Sequence, residues 1–208
     1  MSLIASPEWA AEGVYLRPLV GMQMTADEFE ISSDTSGLEL LDGVVQQKPM
    51  SEVAGYIQGL VYAALLTYTR ERSGRAYPDG TDYRCFGENA NRVRKPDASF
   101  IAADRVQPLR RKACRVVPDL AVEVVSPTDN LIEFNDKLAD YEAAGVRLVW
   151  VVDPFTRIVR VIDHAADEER TLGENDTLTG GEVLPGFEAA VADFLVDPSE
   201  MEPKEPKS

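Results

Sequence analysis

The sequence predicts one α/β domain with a central mixed sheet flanked by helices, an N-terminal hairpin and a βαβ unit. With 208 residues, 44% of them hydrophobic, the chain is long enough to bury a full core. Two apolar runs, residues 120–125 and 148–152, flank a helical pattern, which is typical of parallel strands joined by a crossover helix. Asp42-Gly43 between two short strand-like segments suits a type I′ hairpin turn.

The first elements follow from local signals. Residues 1–24 show no clear hydrophobic period, and we interpret them as an N-terminal arm whose Trp9 and Tyr15 dock on the domain or on a second subunit. Thr25 and Glu28 fit a capping box, because the hydroxyl and the carboxylate stand three residues apart. This pair predicts a short helix at the start of the domain.

The body of the domain continues with the hairpin, a long helix and further strands. The hairpin strands are expected at residues 38–41 and 44–47, on either side of the Asp-Gly turn. Between residues 51 and 72, apolar side chains recur with the 3.6-residue period of a helix that buries one face. Strand-like runs follow around residues 75–86 and 97–102.

The C-terminal half contains the clearest topology. The helical pattern of the βαβ unit covers about residues 129–144 and ends at Gly145, which suits the close of a helix. Residues 157–163 add another strand after a turn. Residues 197–208 are rich in Pro, Glu and Lys and are predicted to form a disordered tail.

Composition argues against several classes of protein. There is no apolar run of about 18 residues, and the start lacks a signal-peptide pattern, so we expect a cytoplasmic protein without a membrane partner. Cys85 and Cys114 lack CxxC spacing, which disfavours a zinc ribbon and a disulfide framework. The single histidine, His164, excludes a histidine-rich metal centre and stands at the end of a predicted strand.

The charge of the chain is unevenly distributed. The formal net charge of −15 argues against nucleic acid as a partner, because phosphate binding needs a positive surface. Residues 70–115, however, contain 12 Lys and Arg against 6 Asp and Glu, a local +6 that leaves −21 for the rest of the chain. This basic third contains Asp97 and is compatible with a phosphodiester substrate.

Two acids predict a metal site. Asp97 follows Pro96, and Glu123 stands 26 positions later inside an apolar strand. Burying an unpaired carboxylate costs several kcal/mol, so Glu123 is expected to be paired, protonated or bound to a metal. If their strands are antiparallel neighbours, both carboxylates meet at the strand end where the sites of α/β sheets gather. Their hard oxygens suit Mg²⁺ or Mn²⁺ rather than zinc.

The helix after Glu123 supplies a cation. Lys137 and Tyr141 are four residues apart and share one helix face, with Glu133 a further turn back. Lys137 could lean toward the strand end, where it would orient a water nucleophile, accept its proton or stabilise charge on a phosphoryl group. The alternatives are a solvated Lys137 paired with Glu133, and a Tyr141 that only packs against the sheet.

These residues resemble the PD-(D/E)XK nuclease motif, and the wider pattern is similar to the Uma-type restriction endonucleases of that superfamily. Pro96-Asp97 and Glu123 carry the motif itself. The resemblance spans about residues 25–196, which we take as the nuclease-like domain. The remaining matches are the segments 39–43, 118–127, 145–146 and 149–154, together with Lys137 and Tyr141.

The resemblance implies a restriction-endonuclease-like core and metal-dependent cleavage of phosphodiester bonds, in DNA rather than RNA. It implies Asp97 and Glu123 as ligands of Mg²⁺ or Mn²⁺, and Lys137 as the catalytic lysine supplied from the helix. Glu39 is either an auxiliary ligand or only the polar face of the hairpin, and Tyr141 is a second auxiliary candidate. A small nuclease that must cut two strands is also consistent with a homodimer.

Two positions depart from the family pattern. Val125 stands at the motif lysine position, two residues after Glu123, so catalysis requires Lys137 in that role. Glu52-Val53-Ala54 stand where many members carry a histidine at the start of the first long helix. The leading hypothesis is a divalent-metal-dependent endonuclease. The alternatives are a non-catalytic binding or assembly module that retains the fold, and a phosphoesterase for small substrates.

Overall fold

The structure, a computed structural model, describes residues 17–86, 91–127, 129–197 and 199. The expected arm up to residue 16, with Trp9 and Tyr15, and most of the expected tail lie outside these ranges. The elements are α1 (Ala26–Ile31), β1 (Leu38–Leu41), β2 (Val44–Gln47), α2 (Glu52–Arg72), β3 (Arg75–Pro78), β4 (Ala98–Ile101), β5 (Leu120–Val124), α3 (Leu131–Ala144), β6 (Leu148–Asp153), β7 (Ile158–Asp163), β8 (Glu168–Gly173), β9 (Thr177–Gly180) and β10 (Leu184–Ala190), with short 3₁₀ helices at Ala103–Arg105 and Val191–Phe194.

A six-stranded mixed sheet forms the centre of the molecule, in the order β3-β4-β5-β6-β7-β8. Strands β5 and β6 are parallel and are joined by α3, while the other neighbouring pairs are antiparallel. The predicted mixed sheet and βαβ unit are therefore confirmed. Two smaller antiparallel pairs, β1 with β2 and β9 with β10, stand outside this sheet.

The helices begin and end where their capping residues predict. The Thr25 hydroxyl accepts from the Glu28 N–H at 3.2 Å while the Glu28 carboxylate accepts from the Thr25 N–H at 2.7 Å, which completes the expected capping box. The side chain of Asn130 caps α3, and Gly145 closes it with φ of 83°. No helix in the described ranges is long and apolar enough to cross a membrane.

The two long helices cover opposite faces of the sheet. On one face, Ile57 and Leu65 of α2 pack with Val122 and Trp150. On the other face, Tyr141 of α3 packs with apolar side chains of β5 and β6 such as Ala121 and Val149. The alternation along β5 therefore directs Val122 toward α2 and Glu123 toward α3.

The hairpin and α1 form a separate apolar cluster that includes Phe29, Leu40 and Val45. Asp42 and Gly43 have φ angles of 52° and 82°, as the predicted type I′ turn requires. The hairpin also pairs through its backbone with Val93, which exchanges two hydrogen bonds with Leu40 at 2.7 and 3.0 Å. This contact places the hairpin beside the chain that leads into Asp97.

Two parts of the sheet differ from the sequence expectation. Of the predicted run 75–86, only Arg75–Pro78 is a strand, because Pro78 and the positive-φ Gly80 turn the chain. Strand β8 was not expected, since all six of its side chains are exposed or half-buried and show no alternation. Backbone pairing with β7 alone forms this edge strand.

Gly74 provides a test of packing behind the sheet. It has φ of +94°, and an added Cβ would lie 2.5 Å from the Phe100 ring, whereas Gly80, with φ of +83°, has nothing within 4 Å of such an atom. We expect Gly80→Ala to cost about 1 kcal/mol of unfolding free energy through backbone strain and Gly74→Ala about 3 kcal/mol, because a clash is added. Urea denaturation of both variants measures the difference; equal losses would contradict it.

Candidate active site

Asp97 and Glu123 lie at the same end of the central sheet. Strand β4 pairs antiparallel with β5, with Ala98 opposite Val122, so the residue before β4 reaches the end of β5. The Asp97 N–H donates to the Val122 carbonyl at 2.9 Å, and the Val124 N–H donates to Asp97 Oδ2 at 2.6 Å. Both acids are buried, with 3% and 2% of their surfaces exposed. The structure thus brings the two acids to one end of the sheet.

Both carboxylate oxygens of Glu123 have partners on α3. Lys137 Nζ donates to Oε2 at 3.1 Å, and the Tyr141 hydroxyl donates to Oε1. Burial and the charge of Asp97 raise the pKa of Glu123, while Lys137 and Lys48 lower it, and the balance leaves the pKa at about 7. The Glu123 carboxylate is thus buried away from water, and Lys137 of α3 supplies a positive charge beside it.

Lys137 is buried and points into the site. Its Nζ lies between Glu123 and Glu39, at 3.1 and 3.5 Å from their oxygens, whereas Glu133 is exposed. Burial acts to lower the pKa of Lys137, but Glu123 and Glu39 outweigh it and raise the pKa. Lys137 is therefore an ammonium ion in this arrangement.

Glu39 joins the hairpin to this centre. Its carboxylate accepts from the Lys95 N–H at 2.8 Å and from the Arg94 guanidinium at 3.1 Å, and Arg94 also bonds Asp140 of α3 at 2.7 Å. Burial acts to raise the pKa of Glu39, yet Lys137, Arg94 and the Lys95 N–H lower it to about 2. Glu39 is thus an ionised acid that holds Lys137 and Arg94 in place.

Lys48, which directly follows β2, is a site residue that the sequence reasoning missed. It is 3% exposed, and its Nζ lies 2.6 Å from Asp97 Oδ1 and also contacts Asp79. Burial acts to lower the pKa of Lys48, but the charges of Asp97 and Glu123 raise it. No local pattern marks this lysine, because its contact with Asp97 depends on how the hairpin packs beside the sheet.

The donor set fits a hard divalent cation. In the described ranges no group of three or more Asp, Glu, His or Cys side chains is arranged around a common point. Mg²⁺ needs no such group, since it keeps several waters and commonly takes only one or two carboxylates. Asp97 Oδ1 is buried and pairs with the ammonium group of Lys48 at 2.6 Å, a cation that a metal ion could replace. Asp97 and Glu123 could therefore hold Mg²⁺ or Mn²⁺.

A shallow cleft gives access to this centre. It lies between the hairpin and the start of α3, and its walls include Gln46, Pro49, Asp129, Glu133 and Lys137. Lys137 is thus buried on one side by Glu123 and Glu39 and approached from the other by the cleft. A ligand held in this cleft would lie next to the ammonium group.

Other polar residues singled out from the sequence serve the fold. Asp119 is fully buried and accepts from the Ala102 N–H at 2.8 Å and from Arg105 at 2.6 Å, which agrees with a role in turning into β5. His164 Nδ1 lies 2.7 Å from the Val146 carbonyl, at the opposite end of β6. Cys85 and Cys114 are free thiols, as expected from their spacing.

Comparison with solved structures supports the predicted fold. The chain is similar to the crystal structure of a "putative nuclease" from Anabaena variabilis, with a TM-score of 0.68 and 20% sequence identity. The match covers 82% of this chain and 97% of that chain. The restriction-endonuclease-like architecture predicted from the sequence is thereby confirmed.

Comparison of sequences identifies the family. No curated protein matches the chain. A family model named Uma2 and described as "Putative restriction endonuclease" matches residues 26–192, which is most of the chain and contains every residue of the site described above. The chain belongs to this Uma2 family of restriction-endonuclease-like proteins.

Proposed function

We propose that the protein is a divalent-metal-dependent endonuclease that hydrolyses phosphodiester bonds in DNA. The observation that carries the proposal is the contact of Lys137 with Glu123 at 3.1 Å, at the sheet end that Asp97 shares. Two acids and a lysine form the catalytic set that the family resemblance implies, although Val125 occupies the usual lysine position. Family membership supports the same activity.

Asp97 and Glu123 are the proposed ligands of Mg²⁺ or Mn²⁺. When bound, such an ion polarises a phosphoryl oxygen and lowers the pKa of a coordinated water. Lys137 carries a positive charge, which its acidic neighbours stabilise, so it is suited to neutralise charge that grows on the phosphoryl group. It is less suited to take a proton, because a base must first be neutral.

Tyr141 and Glu39 are proposed as positioning residues. Tyr141 donates to one oxygen of Glu123 and thereby fixes the carboxylate plane, while Glu39 holds the ammonium of Lys137 from the hairpin side. Without Glu39, Lys137 would keep a single acidic partner. These two residues act on Glu123 and Lys137 rather than on the substrate.

Lys48 is proposed to neutralise Asp97 in the metal-free protein. Its ammonium group lies 2.6 Å from Asp97 Oδ1 and therefore occupies the position that a metal ion bound to this oxygen would take. An ion that takes Asp97 as a ligand must therefore displace this contact. Lys48 can move toward Asp79, its second acidic partner, which is more exposed.

Two alternative functions keep specific support. A non-catalytic module that retains the nuclease fold is favoured by the internal cations, since Lys48 and Lys137 already compensate Asp97 and Glu123. A phosphoesterase for small substrates is favoured by the net charge of −15, which repels a polyanion. Binding of a small substrate weakens little as the salt concentration rises, whereas binding of a nucleic acid polymer weakens steeply. The salt dependence of substrate binding therefore distinguishes a small-substrate phosphoesterase from an enzyme that cleaves a polymer.

Neutral replacements of the two acids test the metal site. We expect Asp97→Asn and Glu123→Gln to abolish Mn²⁺ binding in calorimetric titration and DNA cleavage in a plasmid-nicking assay, because each removes a charged ligand. Glu142→Gln is the matched control, since this exposed acid stands on the same helix but outside the cleft. Unchanged Mn²⁺ affinity in both site variants would contradict the metal site and favour the non-catalytic module.

Substitution of Lys137 separates catalysis from metal binding. We expect Lys137→Met to lower the cleavage rate about 100-fold without weakening Mn²⁺ binding, because the lost charge acts on the phosphoryl group. Lys137→Arg keeps a charge near Glu123 and should retain part of the rate. Single-turnover cleavage and calorimetry measure the two quantities. A rate for Lys137→Met equal to that of the parent protein would exclude Lys137 from catalysis.

Substitution of Lys48 tests its competition with a metal ion. We expect Lys48→Met to tighten Mn²⁺ binding about tenfold or more, since removing a cation 2.6 Å from Asp97 leaves its charge uncompensated. The same variant should unfold at lower temperature without metal and show a larger Mn²⁺-induced rise in Tm. Lys48→Arg keeps the charge and serves as the control. Weaker Mn²⁺ binding by Lys48→Met would instead indicate that Lys48 supports the metal site.

A further inference from the structure

We infer that residues 105–118, called here the basic segment, form a surface that binds the phosphate backbone of nucleic acid beside the active site. The inference deepens the proposed function and rests on it, because it identifies the surface that brings a polymeric substrate to the cleft. The segment lies between β4 and β5 and follows the short 3₁₀ helix. None of the residues proposed for catalysis belongs to this segment.

The charge of the basic segment is opposite to that of the whole chain. It contains five cations, Arg105, Arg110, Arg111, Lys112 and Arg115, and no Asp or Glu, in a chain of net charge −15. Arg105 and Arg115 are compensated by Asp119 and Glu30, at 2.6 and 2.5 Å. These two residues therefore anchor the segment and leave the other three to define its surface.

The three consecutive cations Arg110, Arg111 and Lys112 project into solvent. All three are exposed, and they take part in none of the ion pairs between described residues. The neighbouring acids Asp27 and Glu30 of α1 bond Arg84 and Arg115 instead. A run of exposed cations without an ion pair among the described residues, on an otherwise acidic protein, is the feature expected of a phosphate contact.

Hydrogen bonds to backbone groups at both ends hold the basic segment in place. The Cys114 N–H donates to the Asp82 carbonyl at 2.8 Å, and the Arg84 N–H donates to the Cys114 carbonyl at 2.9 Å. Arg75 of β3 donates to the Gln107 carbonyl at 2.8 Å. Between these anchors the cations are carried by a fixed backbone, which reduces the entropy lost when a polyanion binds.

A cavity connects the surface to the chain that follows β3 and leads to the active site. Arg110, Lys112 and Thr81 line one small cavity. Thr81 follows Asp79 by two residues, and Asp79 contacts the site lysine Lys48. A strand of nucleic acid that lies on the three cations can therefore extend toward the acids at the sheet end. Phosphate contacts of this kind position a substrate without reading its sequence.

A binding experiment without metal tests the surface separately from cleavage. The probe is a fluorescein-labelled DNA duplex in EDTA, followed by anisotropy over a series of NaCl concentrations. The test variant carries Arg110→Ala, Arg111→Ala and Lys112→Ala. The matched control carries Arg70→Ala, Arg72→Ala and Arg170→Ala, three exposed residues outside the segment, so both variants change the net charge from −15 to −18.

We expect the test variant to bind DNA at least tenfold more weakly, and the slope of log K against log salt to fall by about 2 to 3, since each lost phosphate contact contributes about 0.7–0.9. The control variant should keep the parent's slope. Equal weakening of DNA binding in both variants would show that only the overall charge matters, and it would overturn the proposed binding surface. Undiminished binding by the test variant, or no DNA binding by the parent protein, would overturn it as well.

The outcomes separate this surface from the proposed function. If the parent protein binds DNA through the basic segment but neither binds Mn²⁺ nor cleaves, the surface stands and the nuclease proposal fails. If the test variant binds and cleaves DNA as the parent protein does, the nuclease proposal stands and the surface fails.

Discussion

The compensation of buried charge governs the architecture around the sheet end. Glu123, Lys137, Glu39, Arg94 and Asp140 form an alternating chain of negative and positive groups that runs from β5 through α3 and the hairpin and back to α3. Leaving one buried ion without its partner costs several kcal/mol, so each member constrains the next. Because the hairpin has its own apolar cluster, these ion pairs fix its orientation against α3 and determine where Lys137 points.

The same compensation creates a conflict between stability and function. A cluster of acids that could hold a divalent ion repels itself when empty, and this protein resolves the repulsion with two internal lysines. Lys137 forms an ion pair with Glu123, and Lys48 forms one with Asp97, so the charges of the two acids are compensated before a ligand binds. If the site binds a divalent ion as proposed, that ion must exchange with the ammonium group of Lys48, which has Asp79 as a second acidic partner. Outside the site, Arg110, Arg111 and Lys112 form an exposed run of positive charge on a protein whose net charge is −15.

Much of this arrangement was predictable because it follows short-range rules. The period-two alternation of β5 separates Val122 from Glu123, and the spacing of Lys137 and Tyr141 brings them to one face of α3. The order of apolar runs predicted parallel β5 and β6, which the sheet confirms. Strand β8 was not predicted because it is held at the edge of the sheet by backbone pairing. An edge strand that is exposed on both faces shows no hydrophobic period in its sequence.

Residue type and local period along the chain were sufficient for the βαβ unit, the hairpin, the long helices and the family, since those properties depend on neighbours a few residues away. Pairing of charges depended instead on the packing of distant segments. From the sequence, Glu39 could be a ligand or a surface acid, and only the packing of the hairpin places it against Lys137 of α3. Lys48, which directly follows β2, lies 49 positions from the Asp97 that it contacts. A long, flexible side chain finds its partner through three-dimensional proximity in a dry environment, where an unpaired charge is costly, and no pattern in the chain encodes that distance.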